Sequence, residues 1–191
     1  MKTIAFFDFD GTLYKKDSLL EFTKFSKGNI ALYLGLVLLS PYLIALKLGL
    51  YSNEKAKTKF ISHFFKGYKY VDFNILCHNF SLKKIEQNLA KDIYAKFLSH
   101  IKNNDMVYIV TASIPEWIQP WSHQFGVTVI GTKIEIKNNL LTGNFSTRNC
   151  FGPEKTNRIK EIINLDEFDK IYVYGSGKGD LEMLALSKPI I

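Results

Sequence analysis

The sequence predicts an α/β fold, a doubly wound parallel sheet carrying an inserted all-helical cap. Three observations lead there. Short apolar runs end in polar or glycine-containing sequence, as buried parallel strands do. Stretches with helical spacing of apolar residues separate those runs. A long segment without strand patterning lies between the first two runs. Strands alternating with helices build a parallel sheet covered on both faces, and ligands of such sheets bind beyond the carboxyl ends of the strands.

The first strand is Thr3–Phe7, and its carboxyl end delivers Asp8 and Asp10. Residues 28–46 carry no charge and are almost long enough to cross a bilayer, with Pro41 inside them. Because the residue before a proline is pushed away from helical geometry, this segment reads as two short helices meeting at a bend. A buried or substrate-facing helical pair, an interfacial hairpin and a true span all suit that composition. Ser81–Lys102 places Leu82, Ile85, Leu89, Ile93 and Phe97 in a helical stripe. The second strand, Met106–Val110, ends at Thr111-Ala112-Ser113, and Pro115–Phe125 reads as a helix. Val127–Gly131 is a third strand, and Lys133–Phe145 a hairpin turning at Asn138-Asn139. A helix over Glu154–Ile163, a fourth buried strand at Lys170–Tyr174 and a short helix over Asp180–Ser187 complete the chain. The expected division is a core of residues 1–13 and 98–191 with a cap of residues 14–97.

Hydrophobic residues at 47% and charged residues at 23% of 191 exclude a disordered chain. Cys77 and Cys150 are too few and too far apart for a disulfide framework and read as free thiols of a cytoplasmic protein. The Cys77-His78 pair lacks a second ligand pair at zinc-site spacing. No signal peptide is expected, because the amino-terminal apolar run is short and carries two aspartates. The net charge of +7 is unevenly spread: Tyr14–Phe97 holds 14 lysines against 6 acids, and the rest is close to neutral. Such a cap attracts a phosphorylated substrate or makes peripheral contact with an anionic membrane, and a lysine-rich solvated surface looks the same. The basic residues are not interleaved with a nucleic-acid-binding motif, so no nucleic-acid partner is expected.

Asp8 and Asp10, one residue apart at a strand end, bring like charges together unless a cation joins them. A hard divalent ion with oxygen ligands answers that need, and Mg2+ is the usual one beside a phosphate. A turn whose Asp and Gly serve only the backbone is the alternative. Thr111 and Ser176 also fall just past strand ends, so they should converge with the two aspartates. Taken alone, Thr111 also reads as a strand-terminal turn residue and Lys155 as a solvent-facing helical lysine.

A resemblance joins these residues. Asp8-Phe9-Asp10-Gly11-Thr12-Leu13 resembles the first motif of the haloacid-dehalogenase superfamily, and Val110-Thr111-Ala112-Ser113 resembles the second. Cys150-Phe151-Gly152-Pro153-Glu154-Lys155 resembles the third, and Tyr174-Gly175-Ser176-Gly177-Lys178-Gly179-Asp180 with Leu181-Glu182-Met183-Leu184 the fourth. The nearest branch looks like the phosphoserine-phosphatase group, with a helical cap after the first motif on a Rossmann-like core. The resemblance implies a phosphatase in which Asp8 is the nucleophile, forming an aspartyl phosphate, and Asp10 the general acid and base. It implies phosphate binding by Thr111, Ala112, Gly11 and Lys155, and Mg2+ held by Asp8, Asp10, Ser176 and Asp180.

One position departs from the pattern. The residue after the glycine of the fourth motif is usually a metal-binding aspartate and here is Ser176, a neutral and weaker ligand. The competing reading is therefore a catalytically weak or silent protein that binds a phosphorylated ligand. For substrate, Asp17 sits where phosphoserine phosphatases carry an acidic residue for the ammonium, but no arginine exists between Tyr14 and Phe97 to fork a carboxylate. The apolar run Leu19–Leu50 resembles the caps of bacterial phosphatidylglycerophosphate phosphatases, which implies a lipid phosphate as the other substrate class.

Overall fold

The computed structural model describes residues 2–188. Four parallel strands, β1 (Thr3–Phe7), β2 (Met106–Val110), β3 (Thr128–Ile130) and β6 (Lys170–Tyr174), form one sheet in the order β3-β2-β1-β6. The strand order reverses at β1, so the crevice at its carboxyl end is the natural ligand position. Alternate strand residues feed two cores. Ala5, Phe7, Ile109 and Val129 face one side, and Ile4, Phe6, Val110 and Ile130 the other.

The segment after β1 is helical: α1 (Ser18–Lys27), α2 (Asn29–Lys47), α3 (Asn53–Phe65) and α4 (Tyr70–Lys84). Asp17 caps α1 by accepting the Leu20 N–H at 3.0 Å, and Ser52 caps α3 through the Lys55 N–H at 3.3 Å. These helices share one apolar core with the sheet, where Phe22 stacks on Trp117 at 4.7 Å and meets Phe65, Phe73 and Phe80 at 5.3–5.5 Å.

Pro41 does not break its segment into two helices: α2 runs unbroken through it. Proline leaves the carbonyl four residues earlier without its helical donor. That carbonyl belongs to Val37, and the Ser40 hydroxyl donates to it at 2.7 Å.

The helix expected over Ser81–Lys102 is two. After α4 the chain makes a single 3₁₀ turn at Glu86–Asn88, extends through Leu89-Ala90, and restarts as α5 (Lys91–Lys102). Pairing to the chain beyond β1 outcompetes the helical stripe there: Lys15 N–H donates to Asn88 O at 2.9 Å and Ala90 N–H to Leu13 O at 2.9 Å. Helix α5 crosses the expected boundary at residue 97 and lies on the sheet, with Phe97 against Phe7 at 5.4 Å.

The expected helix over Pro115–Phe125 is likewise segmented. A 3₁₀ turn at Pro115–Trp117, a four-residue helix α6 (Gln119–Ser122) and another 3₁₀ turn at His123–Phe125 end at Gly126. Pro115 and Pro120 each restart the spiral, since neither can donate to a preceding turn. The hairpin forms from β4 (Ile134–Lys137) and β5 (Leu140–Phe145), with Asn138 and Asn139 at φ of 50° and 60°. Both central residues of that two-residue turn need positive φ, which asparagine tolerates. The hairpin also ties into the cap, because Gly67 N–H donates to Leu141 O at 2.8 Å and Leu141 N–H to Tyr68 O at 2.9 Å. Helix α7 (Pro153–Ile162), a 3₁₀ turn at Lys178–Asp180 and α8 (Leu181–Leu184) cover the other face, so the terminal helix is shorter than expected.

Candidate active site

Asp8 follows β1, Thr111 follows β2, and Gly175-Ser176 follow β6, so three adjacent strands end on one spot. Lys155 reaches it from the first turn of α7. Its ammonium is buried and lies 2.6 Å from Asp8 Oδ1, 2.7 Å from Asp180 Oδ1 and 2.9 Å from the Val110 carbonyl. Burial works against the Lys155 charge, and Asp8 and Asp180 more than offset it, so its pKa lies above that of an ordinary lysine. Burial pushes the Asp8 carboxyl up, with Lys155 opposing and Asp180 adding to the rise. Two buried carboxylates thus share one ammonium, a net negative spot that a further cation would stabilise.

Asp180 is folded back on its own loop. Its Oδ2 accepts the N–H groups of Ser176 at 3.0 Å and Gly177 at 2.8 Å. This fold-back is why residue 175 is glycine: a Cβ there would stand 2.6 Å from the Asp180 Cβ.

Asp10 points toward the cap. Its carboxylate accepts the Ser18 N–H at 2.7 Å, the Ser18 hydroxyl at 3.1 Å and a short bond from the Ser113 hydroxyl. Trp117 in turn donates its indole N–H to Ser18 Oγ at 3.1 Å. Burial and the nearby Asp17 charge raise the Asp10 carboxyl to about 6, against the lowering effect of the serine hydrogen bonds.

A cavity of about 230 Å³ opens over these groups, lined among others by Asp8, Asp10, Thr111, Lys155 and Asp180. Ala112 lines it as well, and among the described residues no backbone carbonyl takes the Ala112 N–H. From the cap, Asp17, Asn53 and Lys57 complete the wall. The Lys57 ammonium spans the gap to donate to the Ala112 carbonyl at 3.3 Å, and burial lowers its pKa against the pull of Asp10 and Asp17.

Gly11 and Ser176 lie beside the site without lining its cavity. Gly11 spends its N–H on the Tyr14 carbonyl at 2.7 Å, and its φ of 79° makes the turn after β1. The Ser176 hydroxyl donates to the Gly11 carbonyl at 3.0 Å and also lies 3.0 Å from Thr12 Oγ1, which ties the first loop to the fourth. Lys57, Ser18 and Ser113 were not expected in the site. No local pattern marks Lys57 among the cap lysines, whereas Ser113 closes the same motif as Thr111.

The donor set suits a hard cation. Asp8 and Asp180 supply carboxylate oxygens, and among the described residues no backbone N–H donates to the Asp10 carbonyl. Among the described residues no three His, Cys, Asp or Glu side chains form a cage. Magnesium needs no such cage, since one or two carboxylates hold it together with water and substrate phosphate.

A family model described as haloacid dehalogenase-like hydrolase matches residues 5–185. Protein CicA of Caulobacter vibrioides is 30% identical over 183 residues, 95% of this chain and 81% of that protein. Among solved structures, a protein of unknown function from Bordetella pertussis Tohama I has a TM-score of 0.83 at 20% identity, over 98% of this chain and 87% of that one. A phosphoserine phosphatase held as a phospho-aspartyl intermediate analogue has a TM-score of 0.68 at 15% identity, over 97% and 83% of the two chains. At such identities these two likenesses speak for the fold.

Proposed function

The chain belongs to the haloacid dehalogenase-like hydrolases, and we propose that within them it is a magnesium-dependent phosphomonoesterase using Asp8 as its nucleophile. The observation that carries this reading is the ion pair of Lys155 with Asp8, 2.6 Å long and set on the floor of a cavity shared with Thr111. An ammonium there orients one Asp8 oxygen and offsets charge on an incoming phosphoryl group, leaving the other oxygen to attack phosphorus. The Thr111 hydroxyl and Ala112 N–H donate to phosphoryl oxygens.

Asp10 is equipped for both proton transfers. Near a pKa of about 6 it carries a proton to the leaving oxygen as Asp8 is phosphorylated. The resulting carboxylate, positioned by Ser18 and Ser113, then takes a proton from the water that hydrolyses the aspartyl phosphate. Magnesium bound by Asp8, the Asp10 carbonyl and Asp180 would stabilise negative charge on the phosphoryl oxygens.

The substrate class this cavity supports is a small phosphomonoester whose organic part meets Lys57, Asn53 and Asp17. A lone ammonium donates to a carboxylate or hydroxyl without the paired geometry of a guanidinium, so phosphoserine is one candidate within the class. The volume admits the head of a lipid phosphate too, and the exposed apolar face of α2 favours that second substrate. A weakly active phosphate-binding protein is favoured by one observation, the engagement of the Ser176 hydroxyl with Gly11 rather than the carboxylates.

Hydrolysis of an aryl phosphate across a magnesium titration, with Asp8→Asn as control, tests the proposal. Turnover that requires both the metal and Asp8 supports it. No such turnover at saturating metal would leave only the binding reading.

A further inference from the structure

We infer that the cap docks onto an anionic lipid surface through the outward face of α2, with the helix lying along the surface. The two faces of α2 have opposite fates. Leu32, Gly35 and Leu39 are buried against the neighbouring helices α1 and α3. At Gly35 the approach is so close that a Cβ would stand 2.2 Å from Phe64 Cζ. On the other side Ile30, Leu34, Val37, Leu38 and Ile44 are 59–78% exposed.

At 100° per residue those five fall within a stripe about 120° wide, its centre about 150° around the helix from that of the buried three. A contiguous apolar stripe of this size on an exposed helix marks an interaction surface. No charged residue interrupts it, since residues 28–46 carry none.

Charge decides between occupants. Lysines stand at both ends of the stripe: Lys24 shares a cleft with Gly28 and Asn29 at its start, and Lys47 closes the helix. Lys59 lies over the ring of Tyr42 at 5.6 Å, and Tyr42 meets Tyr51 at 5.6 Å. An apolar stripe bordered by lysines and tyrosines matches the boundary between acyl chains and anionic headgroups. A second copy would bring two caps of like charge together, because residues 14–97 hold 14 lysines against 6 acids.

The alternative of a span fails on packing. The helix is long and apolar enough to cross a membrane. Crossing would carry the docked helices α1 and α3, with their exposed Lys24, Lys55 and Lys59, into hydrocarbon or tear Gly35 from Phe64. Lying in the interface requires neither.

The test is flotation of the full chain with phosphatidylcholine vesicles, with and without phosphatidylglycerol. The expected result is binding only to the anionic vesicles, weakened by high salt and by an alkaline carbonate wash. Val37→Glu should lower the partition about tenfold, because it removes apolar area and sets a like charge against the lipid. Circular dichroism and aryl phosphate hydrolysis check that the variant is folded, and Val37→Ser serves if it is not. Absence of binding to anionic vesicles overturns the inference, as does Val37→Glu binding equal to that of the parent. Retention after the carbonate wash also overturns it, in favour of a span. A dimer dissolved by Val37→Glu, without vesicle binding, overturns it in favour of a second copy.

Discussion

The Ser176 hydroxyl donates to the Gly11 carbonyl at 3.0 Å, joining the loop after β6 to the loop that carries the two aspartates. Where the fourth motif was expected to supply a metal-binding carboxylate, this chain uses a neutral clasp. Ser176→Asp should set a negative charge against that carbonyl, lowering thermal stability without metal. It should also tighten magnesium roughly tenfold by adding a charged ligand. Apparent magnesium affinity, read from both turnover and melting temperature, checks both effects.

The raised Asp10 carboxyl predicts a pH limb. Protonation by Asp10 is needed most for a poor leaving group, so kcat/KM for an alkyl phosphate should fall as pH rises beyond about 6. Asp17→Asn removes a charge that raises the Asp10 pKa and should move the limb to lower pH. An aryl phosphate, with its better leaving group, should lose less in Asp10→Asn than an alkyl phosphate. The stability linkage has the same sign. The folded chain holds this proton more tightly, so the Asp10 contribution is full below its ordinary value of 3.8 and is lost as pH rises through about 6. Profiles of kcat/KM and of unfolding free energy against pH measure both.

Lys57 is the cap's cation in the cavity. Lys57→Met should raise KM about tenfold for phosphomonoesters bearing a carboxylate, the loss of one charge-assisted hydrogen bond. For an aryl phosphate with no charge beyond the phosphate itself KM should change little, and kcat should hold in both cases. An equal loss on both substrates would place Lys57 outside substrate selection.

Ser40→Ala should cost about 1 kcal/mol, because the Val37 carbonyl loses the hydroxyl that stands in for the proline's missing N–H. Urea denaturation reads the change in midpoint. Pro41→Ala in the same background should restore most of the loss by returning the backbone donor.

The strand ends were legible because each couples a buried apolar run to a polar terminus, which placed Asp8 and Thr111, whereas Lys155 and Asp180 were implied by the resemblance of the third and fourth motifs. The break near Leu89 was not, because the helical stripe continues through it while the backbone pairs with Leu13 and Lys15 from far back in the chain. The continuity of α2 rested on a single hydroxyl, which pattern reading weighs less than a proline. In the site, Lys57 and Ser18 act through contacts with Ala112 and Asp10 that only the folded cap creates.

The most direct measurement of the central claim is mass spectrometry of the enzyme quenched in acid during turnover of a phosphomonoester. The account predicts one added phosphoryl group on the peptide containing Asp8, present with magnesium and absent in Asp8→Asn. Phosphorylation of a different residue, or undiminished turnover in Asp8→Asn, would contradict it.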